Sequence, residues 1–249
     1  MTKLLIVGDS HTGALERGRA RLAEAGALPA GIDWIVVPLG TGAGMNQPFW
    51  TPHRGRARLT QRGYRQRMPL IPPEDEVVDA IGLSMPLWYG RVLRGLIRSG
   101  VAPVGSGVAG RPLSRALFAH VVRSDMAFIL DLVAFLRDGG LPVFAIEPPG
   151  IFRDNRFLLS HGAGDLLALQ SAIQAVQRKA LAELGVPCVD LPPEATDETG
   201  LMRSAFRHED PTDRHHANAA FGALMIRRIA DHLPALLAAQ APPSREAAR

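Results

Sequence analysis

Short apolar runs and amphipathic helical stretches alternate along nearly the whole chain, and this alternation narrows the fold more than any single residue does. Leu4-Leu5-Ile6-Val7, within residues 3–8, reads as a buried strand, and residues 13–26, rich in Ala, Leu, Arg and Glu, read as the helix after it. Residues 34–39 and 76–82 predict the second and third strands, separated by an irregular segment that holds Pro48 and Pro52. A long helix over 114–137 is closed by Gly139-Gly140, where the chain can adopt positive φ. Residues 142–146 are the fourth strand, 165–184 a helix stopped by Gly185, 186–191 the fifth strand, and 217–239 the last helix. Parallel neighbours need crossover connections, so this order implies an α/β fold. It would be a flavodoxin-like three-layer sandwich, with a central five-stranded parallel sheet covered by helices on both faces. A chain of 249 residues is compatible with one such domain over 1–240, followed by a Pro- and Ala-rich flexible tail at 241–249.

Composition excludes several classes. The single cysteine, Cys188, rules out an internal disulfide or a multi-cysteine metal site, and in Val186-Pro187-Cys188-Val189 it reads as a core residue. The first apolar run ends after four residues at Gly8 and Asp9, too short for a signal peptide, and no stretch approaches the roughly 18 to 20 apolar residues of a membrane span. The expectation is a cytoplasmic protein with no membrane contact. Net charge is +4, and its excess is concentrated in Arg54, Arg56, Arg58, Arg62, Arg65 and Arg67, with no acid among them. This run reads first as a solvated loop, and second as a patch for an anionic ligand. Only Tyr64 interleaves with it, so a base-stacking platform for nucleic acid is not expected. Nothing in the pattern points to an oligomeric state.

In a parallel sheet, reactive groups collect at the carboxyl ends of the strands. Ser10, in Gly8-Asp9-Ser10-His11, lies there. Asp213 and His216 stand three apart just before the last helix, followed by Asn218. A serine hydroxyl is a poor nucleophile at neutral pH and needs an imidazole to take its proton, and a carboxylate fixes the imidazole's tautomer. Ser10, His216 and Asp213 supply that set. Plainer roles exist: Asp9 or Ser10 could cap the first helix and Asp213 the last. His215 is the alternative base, Asp210 the alternative carboxylate, and His11 either lines a pocket or serves structure alone. His208, His215 and His216 with Asp210 and Asp213 match no familiar metal-ligand spacing, and Gly40-x-Gly42-x-Gly44 lacks the dinucleotide pattern. No metal or cofactor is expected.

Gly8-Asp9-Ser10 after an N-terminal strand, paired with Asp213-Arg214-His215-His216 before the last helix, resembles the SGNH, or GDSL-type, hydrolases. The resemblance covers nearly the whole chain in element order, with its specific motifs at the two ends. It implies an SGNH-hydrolase-like fold with Ser10 as nucleophile, His216 as general base and Asp213 as its partner. It also implies an oxyanion hole built from the Ser10 N–H, a glycine after strand two (Gly42 or Gly44) and an asparagine after strand three. The chain departs from that pattern at the last point: it reads Gly82-Leu83-Ser84-Met85 where the family shows Gly-x-Asn-Asp. Ser84 or Asn46 could supply the missing donor, and Asp9, His11 and Asn46 are candidates for contact with substrate. The implied activity is hydrolysis of an ester, a small acyl group on a carbohydrate or related small molecule. The alternatives are an O-acyltransferase acting on a glycan precursor, or a non-catalytic glycan-binding or assembly module.

Overall fold

The computed structural model describes residues 1–240; the expected tail at 241–249 lies outside them. In chain order the elements are β1 (Thr2–Gly8), α1 (Thr12–Glu24), β2 (Ile32–Pro38), β3 (Trp50–His53), β4 (Arg56–Leu59), α2 (Arg62–Arg67), β5 (Leu70–Ile71), β6 (Ala80–Ser84) and α3 (Gly90–Ser99). They continue with β7 (Val101–Pro103), β8 (Arg111–Leu113), α4 (Arg115–Asp125), α5 (Ala127–Asp138), β9 (Val143–Ile146), α6 (Ala163–Glu183), β10 (Cys188–Val189) and α7 (Ala219–Ala238). The main sheet has the order β10-β9-β6-β1-β2, and every neighbouring pair in it is parallel. Renumbered within the sheet, this is the 2-1-3-4-5 order of flavodoxin-like folds, in which the crevice opens beside the first strand.

Strand periodicity divides the core into its two layers. Leu5 and Val7 of β1 pack on the side of Ile129, Leu132 and Val133 from α5, whereas Leu4 and Ile6 pack on the side of Leu15 from α1 and Phe221 and Ile226 from α7. With both faces covered, β1 has no polar position between Leu4 and Val7. On the second face α1 and α7 meet backbone to backbone: a Cβ atom at Gly18 would lie 2.1 Å from the carbonyl carbon of Gly222. Arg17 of α1 also donates to the carbonyl of Ala217 at 2.9 Å. The start of α1 and the approach to α7 are thereby held together.

The fifth strand is shorter than expected, Cys188–Val189, and two elements differ more deeply from the sequence expectation. The third strand of the sheet runs over Ala80–Ser84 and not 76–82, because Asp79 ends the preceding loop against β1: its N–H donates to the Lys3 carbonyl and its carboxylate accepts from the Lys3 N–H. Val77, which the apolar pattern placed in the strand, is exposed. The helix expected over 114–137 breaks at Met126 into α4 and α5. Asp125 at the break makes a two-point ion pair with Arg91, and Met126 is buried.

The segment expected to be irregular around the arginine run is ordered. β3, β4 and β5 form an antiparallel sheet, turned at Arg54-Gly55, both with positive φ, as a two-residue hairpin requires. In β4, Ala57 and Leu59 point into the core while Arg56 and Arg58 point outward, and Tyr64 and Met68 bury one face of α2. The arginines thus coat the outside of a packed insertion. No helix among the described residues is long and apolar enough to cross a membrane.

Candidate active site

Ser10 leaves the carboxyl end of β1, and His11 occupies the N-cap position of α1 without a side-chain cap bond. The Ser10 hydroxyl is therefore not consumed by capping. At the other end of the chain, Asn218 caps α7 by accepting from the N–H groups of Ala220 and Phe221, which leaves Asp213 free of that task. The loop before α7 is pinned by a bridge between Arg207 and Ala217 and by the His208 N–H donating to the His216 carbonyl. Its Asp213-Arg214-His215-His216 turn closes on one carboxylate oxygen: Asp213 Oδ1 accepts from the backbone N–H of His215 at 3.2 Å and of His216 at 3.0 Å.

The other oxygen, Asp213 Oδ2, lies 2.7 Å from His216 Nδ1, and His216 Nε2 lies 2.8 Å from Ser10 Oγ. A carboxylate only accepts, so Nδ1 carries the ring proton and Nε2 presents its lone pair to the serine hydroxyl. Burial acts to raise the Asp213 carboxyl, but the backbone and ring hydrogen bonds from His216 and the backbone bond from His215 outweigh it. They hold the group well below the usual carboxylate range. The structure thus brings Ser10, His216 and Asp213 into one hydrogen-bonded line. Asp210 is turned away, accepting from the N–H and hydroxyl of Thr212. His215 stacks on His216 with ring centroids 4.0 Å apart.

Gly42 lies beside Asp9: a Cβ there would stand 3.0 Å from Asp9 Oδ2 and press on that carboxyl. Its carbonyl accepts from Arg91. Neither the N–H of Ser10 nor that of Gly42 donates within the chain among the described residues, so both are available to an incoming oxygen. Asp9 is buried and its carboxyl is pushed up to about 7, by desolvation against the smaller opposing effects of the His11 N–H and Arg91. His11 is also buried, between Trp88 at 4.1 Å and His216 at 4.8 Å between ring centroids. Desolvation first, then the neighbouring His216 and His215, hold it well below the ordinary histidine value and so uncharged at neutral pH. These groups open on a cleft of about 390 Å³.

No family model matches this sequence, and no curated protein matches it. Likeness emerges in three dimensions. A carbohydrate acetylesterase from Sinorhizobium meliloti superposes on 95% of this chain and 100% of its own, with a TM-score of 0.50 and 14% identity. The chain shares that esterase's fold, an α/β sandwich around a five-stranded parallel sheet. An acetyl xylan esterase (93% of this chain, 99% of its own, TM-score 0.48, 15% identity) and the aryl esterase of M. smegmatis (95% and 100%, 0.48, 14%) are similar over the same extent.

The cleft includes some of the expected residues and omits others. Asp9, Ser10, His11 and Gly42 line it. Gly44 does not; its carbonyl is occupied by the Gln61 side chain at 2.8 Å. Asn46 is exposed, and Ser84 is buried at the end of β6 beside Gly8; neither is among the residues that line the cleft. The cleft wall instead contains Trp88, Tyr89, Arg91 and Arg94 from the start of α3, Asn155, Arg156 and Phe157 from the loop after β9, and Arg214. Sequence reasoning missed these because they come from segments far apart in the chain, whose convergence no local spacing records. The run from Arg54 to Arg67 contributes nothing to the cleft lining. Ligand atoms of Asp213, His215 and His216 lie within 4.8 Å of one another, a spacing open to a metal ion. Both ring nitrogens of His216 are already engaged, by Asp213 and Ser10, so a metal there would have to displace that line.

Proposed function

We propose that this protein is a serine ester hydrolase of the SGNH type that works through an acyl-Ser10 intermediate. The observation that carries the reading is the 2.8 Å contact between Ser10 Oγ and His216 Nε2, with Asp213 2.7 Å behind the ring. As Ser10 Oγ attacks the ester carbonyl, its proton moves to His216 Nε2, and the imidazolium is stabilised by Asp213. The tetrahedral oxyanion accepts from the N–H groups of Ser10 and Gly42, where each well-placed donor is worth roughly 2.7 to 4 kcal/mol. Collapse expels the alkoxide, which takes the proton from His216. Water then repeats the sequence on the acyl-serine, freeing the acid and restoring the hydroxyl. A cleft of about 390 Å³ suits a small acyl group on a carbohydrate or similar small molecule.

The test is burst release of nitrophenol from nitrophenyl acetate together with mass detection of an acetylated protein. Wild-type protein is expected to give both, and Ser10→Ala neither. Turnover in Ser10→Ala equal to wild type removes Ser10 from the chemistry, and a sugar acceptor added to the same assay separates transfer from hydrolysis.

A further inference from the structure

Positive charge gathers in the cleft to a degree that the hydrolytic reaction itself does not require. Arg91, Arg94, Arg156 and Arg214 all line it, and the sole carboxylate among the lining residues is Asp9. Arg91 is committed, to Asp125 and to the Gly42 carbonyl. Arg94, Arg156 and Arg214 have no carboxylate within 4.0 Å among the described residues. Two of the three are also steadied. Arg94 Nε donates to the Gly90 carbonyl at 3.2 Å, and the Arg156 guanidinium rests 5.0 Å from the centre of the Phe157 ring.

These cations crowd one another beside the reacting groups. Burial, then Arg156, Arg98 and Arg91, lower the pKa of Arg94; Arg94 and Arg156 in turn contribute to the lowering at His215, which stacks on His216. The start of α3 faces the same space through Tyr89, Gly90 and Arg91, with no acid in its first turn to offset the positive end of the helix. Arg94 is half-buried while Arg156 and Arg214 are exposed; like charges gathered around one cleft are relieved by an anion, and planar guanidinium groups match the oxygens of carboxylate, sulfate or phosphate.

We infer that the ester taken by this cleft is anionic, carrying a carboxylate, sulfate or phosphate on the portion that lies over Arg94, Arg156 and Arg214. This rests on the hydrolase reading above and names its substrate class. The anion belongs either to the acyl group or to the alcohol, and two matched pairs of esters distinguish them. Nitrophenyl hemisuccinate against nitrophenyl butyrate tests the acyl side; carboxyphenyl acetate against phenyl acetate tests the alcohol side.

At low salt, kcat/KM is expected to favour the anionic member of one pair by about tenfold or more, the advantage shrinking as salt rises. Arg94→Gln combined with Arg156→Gln is expected to reduce that ratio about tenfold or more, as loss of charge-assisted contacts implies. Arg214→Gln, at an exposed position, serves as a second variant whose folding is not at risk. Ratios at or below one for both pairs, or ratios unchanged in the variants, overturn the inference. Should no ester be hydrolysed at all, the hydrolase reading fails separately. Calorimetric titration of Ser10→Ala with succinate and with sulfate then decides the anion site: binding that disappears in the arginine variants sustains it, and absence of binding ends it.

Discussion

Gly18 of α1 and Gly222 of α7 touch without any side chain between them: a Cβ at Gly222 would lie 1.7 Å from the Ala14 carbonyl oxygen, and one at Gly18 2.1 Å from Gly222. The same two helices lead from Ser10 and from His216, which are 206 residues apart in sequence and 2.8 Å apart in space. Gly222→Ala is therefore expected to push the helices apart, destabilising the protein by about 3 kcal/mol and lowering esterase turnover in whatever remains folded. Gly63→Ala in α2, where a Cβ meets nothing within 4 Å, is the control and should be neutral or slightly stabilising. Urea midpoints of the two variants check this; equal midpoints would show that the crossing has slack.

Asp213→Asn leaves the geometry of the turn largely in place but removes the acceptor that fixes the ring proton on His216 Nδ1. Turnover of an activated ester is expected to fall by about four orders of magnitude, with an unchanged thermal midpoint to within a few degrees. A loss of less than tenfold would mean that His216 keeps its tautomer by other means.

Asp9 gives a stability signature with a definite sign. Burial pushes its carboxyl up to about 7 in the folded chain, from an ordinary value of 3.8. Between those values the native state holds a proton that the unfolded chain has released, so the Asp9 contribution to stability falls as pH rises through this interval and is level above it. Asp9→Asn, which cannot ionise, should lose this part of the slope and be more stable than wild type above neutrality. Unfolding midpoints of both proteins across the interval test it, and parallel curves would contradict it.

Tyr64 of the insertion donates to the Thr41 carbonyl at 2.6 Å, next to Gly42. Tyr64→Phe should cost about 1 kcal/mol of stability and, by loosening the loop that presents the Gly42 N–H, lower kcat several-fold with little change in KM. An unaltered kcat would assign Tyr64 to packing alone.

The outline of the sheet was readable because each central strand is a compact apolar run, and β1 is the clearest of them. The third strand was misplaced because Val77-Val78 continues the apolar pattern into a loop, and only the tertiary contact of Asp79 with Lys3 marks the true start. The insertion was hidden by its own surface: arginines at alternate positions mask the smaller inward residues Ala57 and Leu59. At the site, Ser10, Asp213 and His216 were legible since two of them share a short turn and the third ends a strong strand. The cleft wall was not. Arg94 comes from a helix and Arg156 and Arg214 from two segments far from it in sequence, and no local spacing records that they will share one space.

Arg91 ties the ending of α4 to the loop carrying Gly42, one guanidinium gripping Asp125 with two contacts and the Gly42 carbonyl with a third. The interruption at Met126 is accordingly more than a defect in a long helix. It turns the last acid of one segment toward Arg91, so that a splice of the two segments into a continuous rod would slacken a strut beneath the loop that carries Gly42.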